Sequence, residues 1–538
     1  MQGSSGKLAD YRIREGVAIL AIDHPPVNAL SHVVRIALMD GVQRALDDPH
    51  ADALVIICRG RTFFAGADVK ELGRPIEPPL LADIMRSFEA SSKPIVSAMH
   101  GTALGGGFEL ALAGHFRVGV PSLLVGLPEV ALGVLPGAGG TQRLPRLVGA
   151  EKGLELIGLG RHIGASEALE LGMLDAVVDE RDLEAAAAAF ARKIVAEARP
   201  LKRVRDIRMA CDRQEFDACA ERFRQDNPHL FVGLKAPQAA IEAVRAAAFL
   251  PFDEGIARER ELSSALRESP ESAAQRHLFF AERAAAKWPD ASVKASAPAS
   301  LRVSGAWEAA DRFQDLMVVD GEAVLVVADD EDFDTYAARL SAFTDAPVVV
   351  ATRHLDRFQD LREHAVRAGR LVGLNQAFGV WEIVVDESSD PVAGATIMQL
   401  ARVAGVPAIY TRPRPGLVLK RLYEAFAGSV AALRAQGAPD ADIAASAAAY
   451  GFAARMTRMA ATDGCVREEL GRRLVADCAH EAMDMIAQGV VLRGSDIDFA
   501  MVKAGLWPLW RGGPAFVAER EGAERIAQWR APVRAKIE

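Results

Sequence analysis

Residues 103–110 read ALGGGFEL: three consecutive glycines, then an aromatic residue and a glutamate that opens an apolar helical pattern. Three missing side chains in a row cost roughly 0.5–1 kcal/mol each in backbone entropy. A helix starting here leaves its first amide N–H groups unpaired at the positive end of the helix dipole, where an anion can bind. Missing β-carbons also let a substrate carbonyl approach the backbone; the alternative is a close helix–strand crossing. A second stretch, FFAGADVK at 63–70, is again a small-residue turn after a buried strand and can offer a second N–H. Two donors aimed at one carbonyl oxygen make an oxyanion hole, and losing one such donor typically costs about 10²–10³ in rate.

Two carboxylates accompany these turns. Glu109 stands near a helix N-terminus and is expected to ionise easily. Glu129 follows a proline in GLPEVALGVLPGAGGTQRLPRLVG (126–149), among apolar neighbours that disfavour its charge. Carboxylates pushed in opposite directions suit an acid and a base. His24, His100 and His115 stand singly and are assigned to packing or turns. Cys58, Cys211, Cys219, Cys465 and Cys478 form no C-x-x-C pair and read as reduced packing residues of a cytoplasmic protein.

The elements that must carry these groups read as α/β. VAILAI (17–22) and ALVIIC (53–58) look like buried strands, and 31–48 between them has helical spacing. Strand-like runs at 95–99 and 116–120 alternate with helical stretches at 80–91 and 107–114. From about 183 to 285 the pattern is helical, and PDASVKASAPAS (289–300) is a small, polar linker without apolar period. Beyond it, VLVVAD (324–329), PVVVAT (347–352) and WEIVVD (381–386) read as strands of a second α/β unit, and from about 414 the chain is helical again. A chain of 538 residues is too long for one core. The expected division is 1–200, an α/β core; 201–300, a helical segment and linker; 301–412, a second α/β domain; and 413–538, all helical. A net charge of −9 gives no general basic surface, which argues against nucleic acid. No leader pattern and no window of 18 apolar residues is present, so neither export nor a membrane span is expected.

FFAGADVKEL, KPIVSAMHGTALGGGFELALAG and GLPEVALGVLPGAGGTQRLPRLVG together resemble the crotonase (enoyl-CoA hydratase/isomerase) superfamily, closest to the hydratase half of multifunctional β-oxidation enzymes. The resemblance spans roughly 10–290. It implies an oxyanion hole from the backbone N–H groups of Ala67 and Gly106, and catalytic roles for Glu109 and Glu129. It also implies a coenzyme A channel lined by Ala65, Asp68, Val69 and Lys70, with IEPPLLADIMRSFEAS (76–91) bordering the acyl pocket. RHLFFAERAAAK (276–287) resembles the linker helix of those enzymes, in which Phe280 and Arg283 would meet the adenine or its phosphate; for Phe280, helix packing is the other reading. The implied reaction is hydration of trans-2-enoyl-CoA to 3-hydroxyacyl-CoA, with double-bond isomerisation open to the same site. Coenzyme A enters as part of the substrate and no cofactor is required for hydration.

The second half resembles the 3-hydroxyacyl-CoA dehydrogenase part of the same enzymes, most clearly in VVLRGSDIDFAMVKAGLWPLWRGGPAFVAE (490–519). Yet no G-x-G occurs in 301–412, so the fingerprint that holds a dinucleotide pyrophosphate is missing, which argues against NAD binding. Asn375 in GLNQAFG stands where the family has a catalytic histidine, Glu382 where it has the histidine's partner, and Lys420 where it has an asparagine. ATRHLD (351–356) replaces the family's usual turn. The expected fold is therefore an N-terminal crotonase fold, a helical linker, a truncated Rossmann-like α/β domain and an all-helical dehydrogenase-like end. The expected protein is an enoyl-CoA hydratase with an inactive second half, a monomer, and a thiolase is the partner such enzymes suggest. The rivals are a bifunctional hydratase–dehydrogenase, a non-catalytic acyl-CoA scaffold, and a crotonase-fold lyase or hydrolase for an unusual acyl group.

Overall fold

The computed structural model describes residues 8–68, 71, 77–288, 292–295, 300–304, 310–317, 324–327, 332–342, 348–352, 354–365, 368–457 and 464–532. They form two compact units, 1–272 and 273–538. Val69 and Lys70 lie outside the described residues.

In the first unit a six-stranded sheet runs in the order Ala9–Arg14, Val17–Ile22, Ala53–Cys58, Ile95–Met99, Phe116–Gly119, Ala176–Val177. The first two strands form an antiparallel hairpin, and every later pairing is parallel. Val17–Ile22, Ala53–Cys58 and Ile95–Met99 are buried at every position, as strands covered on both faces must be. That explains their continuous apolar runs. The crossover helix His32–Asp47 turns Val34, Leu38, Val42 and Ala45 inward at helical spacing. A smaller sheet joins Thr102–Leu104, which leads into the glycine turn, to Leu124–Gly126 and His162–Gly164. Its three-residue strands carry no period that a sequence reading can detect. The helices Leu183–Ala196, Arg213–Asp226, Ala236–Phe249 and Phe252–Arg267 belong to this unit.

The second unit has a six-stranded sheet in chain order: Leu301–Ser304, Val324–Val327, Val348–Ala351, Leu371–Ala377, Val380–Val384, Ala408–Thr411. Leu371–Ala377 and Val380–Val384 form an antiparallel hairpin, and the other neighbours are parallel. Helices from Leu419–Ala435 to Ala523–Arg530 complete it. Among the described residues no helix is long and apolar enough to cross a membrane.

Candidate functional site

The helix Gly106–Ala113 is buried along its whole length, and each of the three glycines at its start has a separate reason. Gly105 has φ +52°, and a Cβ there would fall 2.8 Å from Glu129 Oε1. Gly107 packs on backbone: its Cβ would stand 2.0 Å from the Phe64 carbonyl oxygen. The close crossing and a turn facing a buried carboxyl therefore coexist in one stretch. Gly106, between them, opens the helix, so its N–H has no intrahelical acceptor.

The second turn is brought beside the first by Phe63 and Phe64, both fully buried and in edge-to-face contact at 4.7 Å between ring centroids. Burying each such ring is worth about 1.5–3 kcal/mol, which anchors the turn to the core. The Leu104 amide donates to the Phe64 carbonyl, and the Leu30 amide to that of Gly66. Ala67 then lies exposed, with its amide nitrogen 3.7 Å from the position of a Cβ on Gly106. Neither the Ala67 nor the Gly106 N–H meets a backbone acceptor among the described residues. Two unpaired donors on adjoining turns are the arrangement an oxyanion requires. Ala65 and Asp68 flank this turn half-buried, and the Ala65 amide donates to Val27 O at 3.3 Å.

Glu109 lies one turn into the helix, 3% exposed, and its Oε1 accepts the backbone N–H groups of Ala138 (2.8 Å) and Gly140 (2.7 Å). Burial raises its proton affinity above the usual carboxylate range, opposed by those two amides and by the Arg143 guanidinium. Easy ionisation, expected from the helix terminus alone, is thus corrected: desolvation outweighs the dipole. Glu129 sits in the short 3₁₀ turn Pro128–Leu132. Among the described residues its Oε2 is enclosed without a hydrogen-bond partner, and burial first, then the charges of Glu109 and Glu259, hold its carboxyl well above the usual range. The two carboxylates shift the same way, Glu129 further.

Glu259 had not been singled out from the sequence. It comes from the helix Phe252–Arg267, is 1% exposed, and accepts from Gly139 N (2.7 Å), Thr141 N (3.0 Å) and Thr141 Oγ1 (2.6 Å). Burial and then Glu109 push it up to about 8, against the pull of its Thr141 and Gly139 donors. A signal did exist: Gly255, Glu259, Ser263 and Leu266 form the buried stripe of an otherwise charged helix, and a glutamate on that stripe must point inward. Arg143 braces the same turn, donating to Ala138 O (3.0 Å) and, from Nε and Nη2, to Glu89 Oε1 (2.9 and 2.6 Å).

The remaining candidates stand on other elements. Phe280 and Arg283 are on the helix Pro270–Ala285 within the second unit, with the Arg283 guanidinium 3.5 Å from the Phe279 ring centroid. His115 is buried and accepts the Ile95 amide through Nδ1, and burial lowers it to about 4. Asn375 Nδ2 donates to Glu382 Oε2 at 2.5 Å, while Glu382 Oε1 accepts the amides of Val418 (2.8 Å) and Leu419 (3.0 Å). Glu382 therefore does hold a group even without an imidazole: it caps the helix Leu419–Ala435. Lys420 is exposed and pairs with Glu424 at 2.5 Å. Among the described residues no group of His, Cys, Asp and Glu could hold a metal ion.

A family profile described as Enoyl-CoA hydratase/isomerase matches residues 12–231. A Bacillus subtilis (strain 168) protein named "Probable enoyl-CoA hydratase" is 44% identical over 189 residues, 33% of this chain and 73% of that protein. The chain belongs to the enoyl-CoA hydratase/isomerase family. Its first unit accordingly carries the crotonase fold of that family, with both glutamates and both turns inside the matched residues. The "Peroxisomal bifunctional enzyme" of Danio rerio is 44% identical over 276 residues, 51% of this chain but 38% of that protein. The chain thus spans about two fifths of the length of that relative. Among solved structures, carnitinyl-CoA hydratase from Mycobacterium avium is 28% identical, covering 51% of this chain and 96% of that one, with a TM-score of 0.39. For a hydratase/isomerase of this family the reacting group is an acyl-CoA thioester, and hydration needs no cofactor.

Proposed function

We propose that the chain is an enoyl-CoA hydratase that adds water across a trans-2-enoyl-CoA double bond. The observation that carries the reading is the pair of buried carboxylates, Glu109 and Glu129, set around a glycine turn whose N–H is unpaired. The thioester oxygen lies between the N–H groups of Ala67 and Gly106, which stabilise the charge as the enolate forms. Glu109, whose two backbone donors favour its charged form, takes a proton from water as the oxygen bonds to C3. Glu129, the stronger proton holder, delivers a proton to C2. Ala65 and Asp68 are read as the coenzyme A side of the site, together with Val69 and Lys70. The same Glu129 can carry a proton between C2 and C4 of a 3-enoyl thioester, which is the isomerase reaction.

The second unit is read as a truncated Rossmann-like sheet with a dehydrogenase-like helical end that has lost its chemistry. The support is the absence of G-x-G in 301–412 and an asparagine amide, bound to Glu382, where an imidazole would work. The protein is read as a monomer of the cytoplasm, with a thiolase as the candidate partner; fractionation distinguishes this location from the peroxisome named in its relatives. The deciding assay follows loss of the enoyl absorbance over a panel of trans-2-enoyl-CoA thioesters, with NAD⁺ added afterwards. Band loss without NADH is expected. No band loss on any chain length removes the hydratase, and NADH formation restores the bifunctional enzyme.

A further inference from the structure

We propose that Glu259 is a positioning residue for Glu109, acting through the turn 138–141; this rests on the hydratase reading for its consequence, though not for its geometry. Four consecutive backbone N–H groups alternate between two carboxylates. Ala138 and Gly140 donate to Glu109, and Gly139 and Thr141 donate to Glu259. Each glutamate holds every second amide, so neither can move without displacing the other's donors.

The pairing is asymmetric in what it leaves over. Both oxygens of Glu259 are taken, Oε1 by Gly139 and Oε2 by the amide and hydroxyl of Thr141. Neither of its oxygens is left without a donor. Glu109 uses only Oε1 on the turn, so the locked turn fixes the direction in which Oε2 presents itself to water. Space around the turn is closed as well. A Cβ on Gly140 would come 2.9 Å from Glu109 Oε1, and one on Gly255, a turn before Glu259, would come 2.1 Å from Gln142 Oε1. The ionisable groups acting on this arrangement are Glu109, Glu129 and Arg143, the last held by Glu89.

A glutamine at 259 replaces one of the two accepting oxygens by an NH2 group, which cannot accept, so at least one of the three donors loses its partner. That donor must then find an acceptor elsewhere in a buried place, and the turn rotates away from Glu109. Misplacement of a reacting group by about 1 Å can cost 10²-fold in rate. For Glu259→Gln the expected result is a kcat lower by roughly 10–10², with KM within about twofold because the thioester cradle is untouched. Thr141→Val, which removes one of the three donors and keeps the volume, is the milder second variant, with a loss of about threefold to tenfold in kcat and the same KM. Hydrogen exchange on the full chain supplies a readout independent of turnover: the amides of 138–141 exchange faster in both variants than in the parent.

Unchanged kcat in both variants, or a loss matched by an equal rise in KM, overturns the proposal. So does unchanged exchange at 138–141 in Glu259→Gln. If Glu259→Gln fails to fold, Thr141→Val alone decides by the same two measurements. A parent protein that hydrates nothing counts against the hydratase reading, and the exchange result then decides whether Glu259 holds the turn.

Discussion

Glu109 and Glu382, one in each unit, begin from the same arrangement. Each is a buried glutamate whose Oε1 accepts two backbone N–H groups at the start of a helix, Gly140–Val148 in the first case and Leu419–Ala435 in the second. Burial raises both carboxyls, and their amide donors pull both back. They differ in the second oxygen. Glu382 Oε2 is filled by the Asn375 amide, and no second carboxylate stands beside it among its charge partners. Glu109 leaves Oε2 off the turn and shares its surroundings with Glu129 and Glu259. A buried carboxylate on a helix start is thus a structural device by default. It becomes a reactive one where an oxygen is left over, a like charge raises the proton affinity of a neighbour, and unpaired donors stand ready for the substrate.

The contrast is broken most directly by replacing both residues in the same way. Glu109→Gln should lower hydratase kcat by about 10²–10⁴ with little change in folding, while Glu382→Gln leaves kcat within about twofold; an equal loss in both would dissolve the distinction. Next in size is the pH profile of kcat/KM. Hydration needs Glu109 charged and Glu129 protonated, and both are raised, so the rate falls as pH drops through a Glu109 limb above the usual carboxylate range and falls again as pH rises through the higher Glu129 limb. Each limb approaches tenfold per pH unit, and the two apparent values belong to the coupled pair. A profile flat above the ordinary carboxylate range would remove the assignment of Glu129 as acid.

Smaller effects sharpen the structural side. Glu382→Leu strands two buried helix-start amides and the Asn375 amide, so the second unit should lose about 2–4 kcal/mol in denaturant unfolding while the first keeps its activity. The smallest effect is a stability slope. Because folding raises Glu382, the native state holds its proton more tightly than the unfolded chain does. That stability is fully present below the usual carboxylate range and is lost as pH rises through the raised value. In Glu382→Gln that part of the slope should vanish from unfolding midpoints measured across acid pH.

What the sequence made legible follows physical range. Val17–Ile22, Ala53–Cys58 and Ile95–Met99 could be read to the residue because strands buried on both faces are continuous apolar runs. The helix Gly106–Ala113 and the glutamate one turn into it were equally local signals. Leu301–Ser304 and Ala408–Thr411 were missed because LRVS and AIYT carry polar residues where the equally short Val324–Val327 and Val348–Ala351 are wholly apolar, and Leu371–Ala377 because its polar end reads as loop. Glu259 escaped for another reason. Its partners lie 118 and 120 residues earlier, and only tertiary packing puts a helix of the polar-looking ERELSS type against a glycine turn. The direction of the Glu109 shift was misjudged because a dipole can be read from one helix, whereas desolvation is set by everything packed around it.

The turn 138–141 has one more consequence. GAGGT before a helix reads as a cradle for a phosphate, yet here the cradle is already occupied by the protein's own side chains. The chain is its own ligand. Cutting Glu259 back to glycine would leave a buried recess lined by two amides and a hydroxyl, shaped for a small carboxylate. Formate or acetate supplied in solution should then restore part of the lost rate, and longer anions should not.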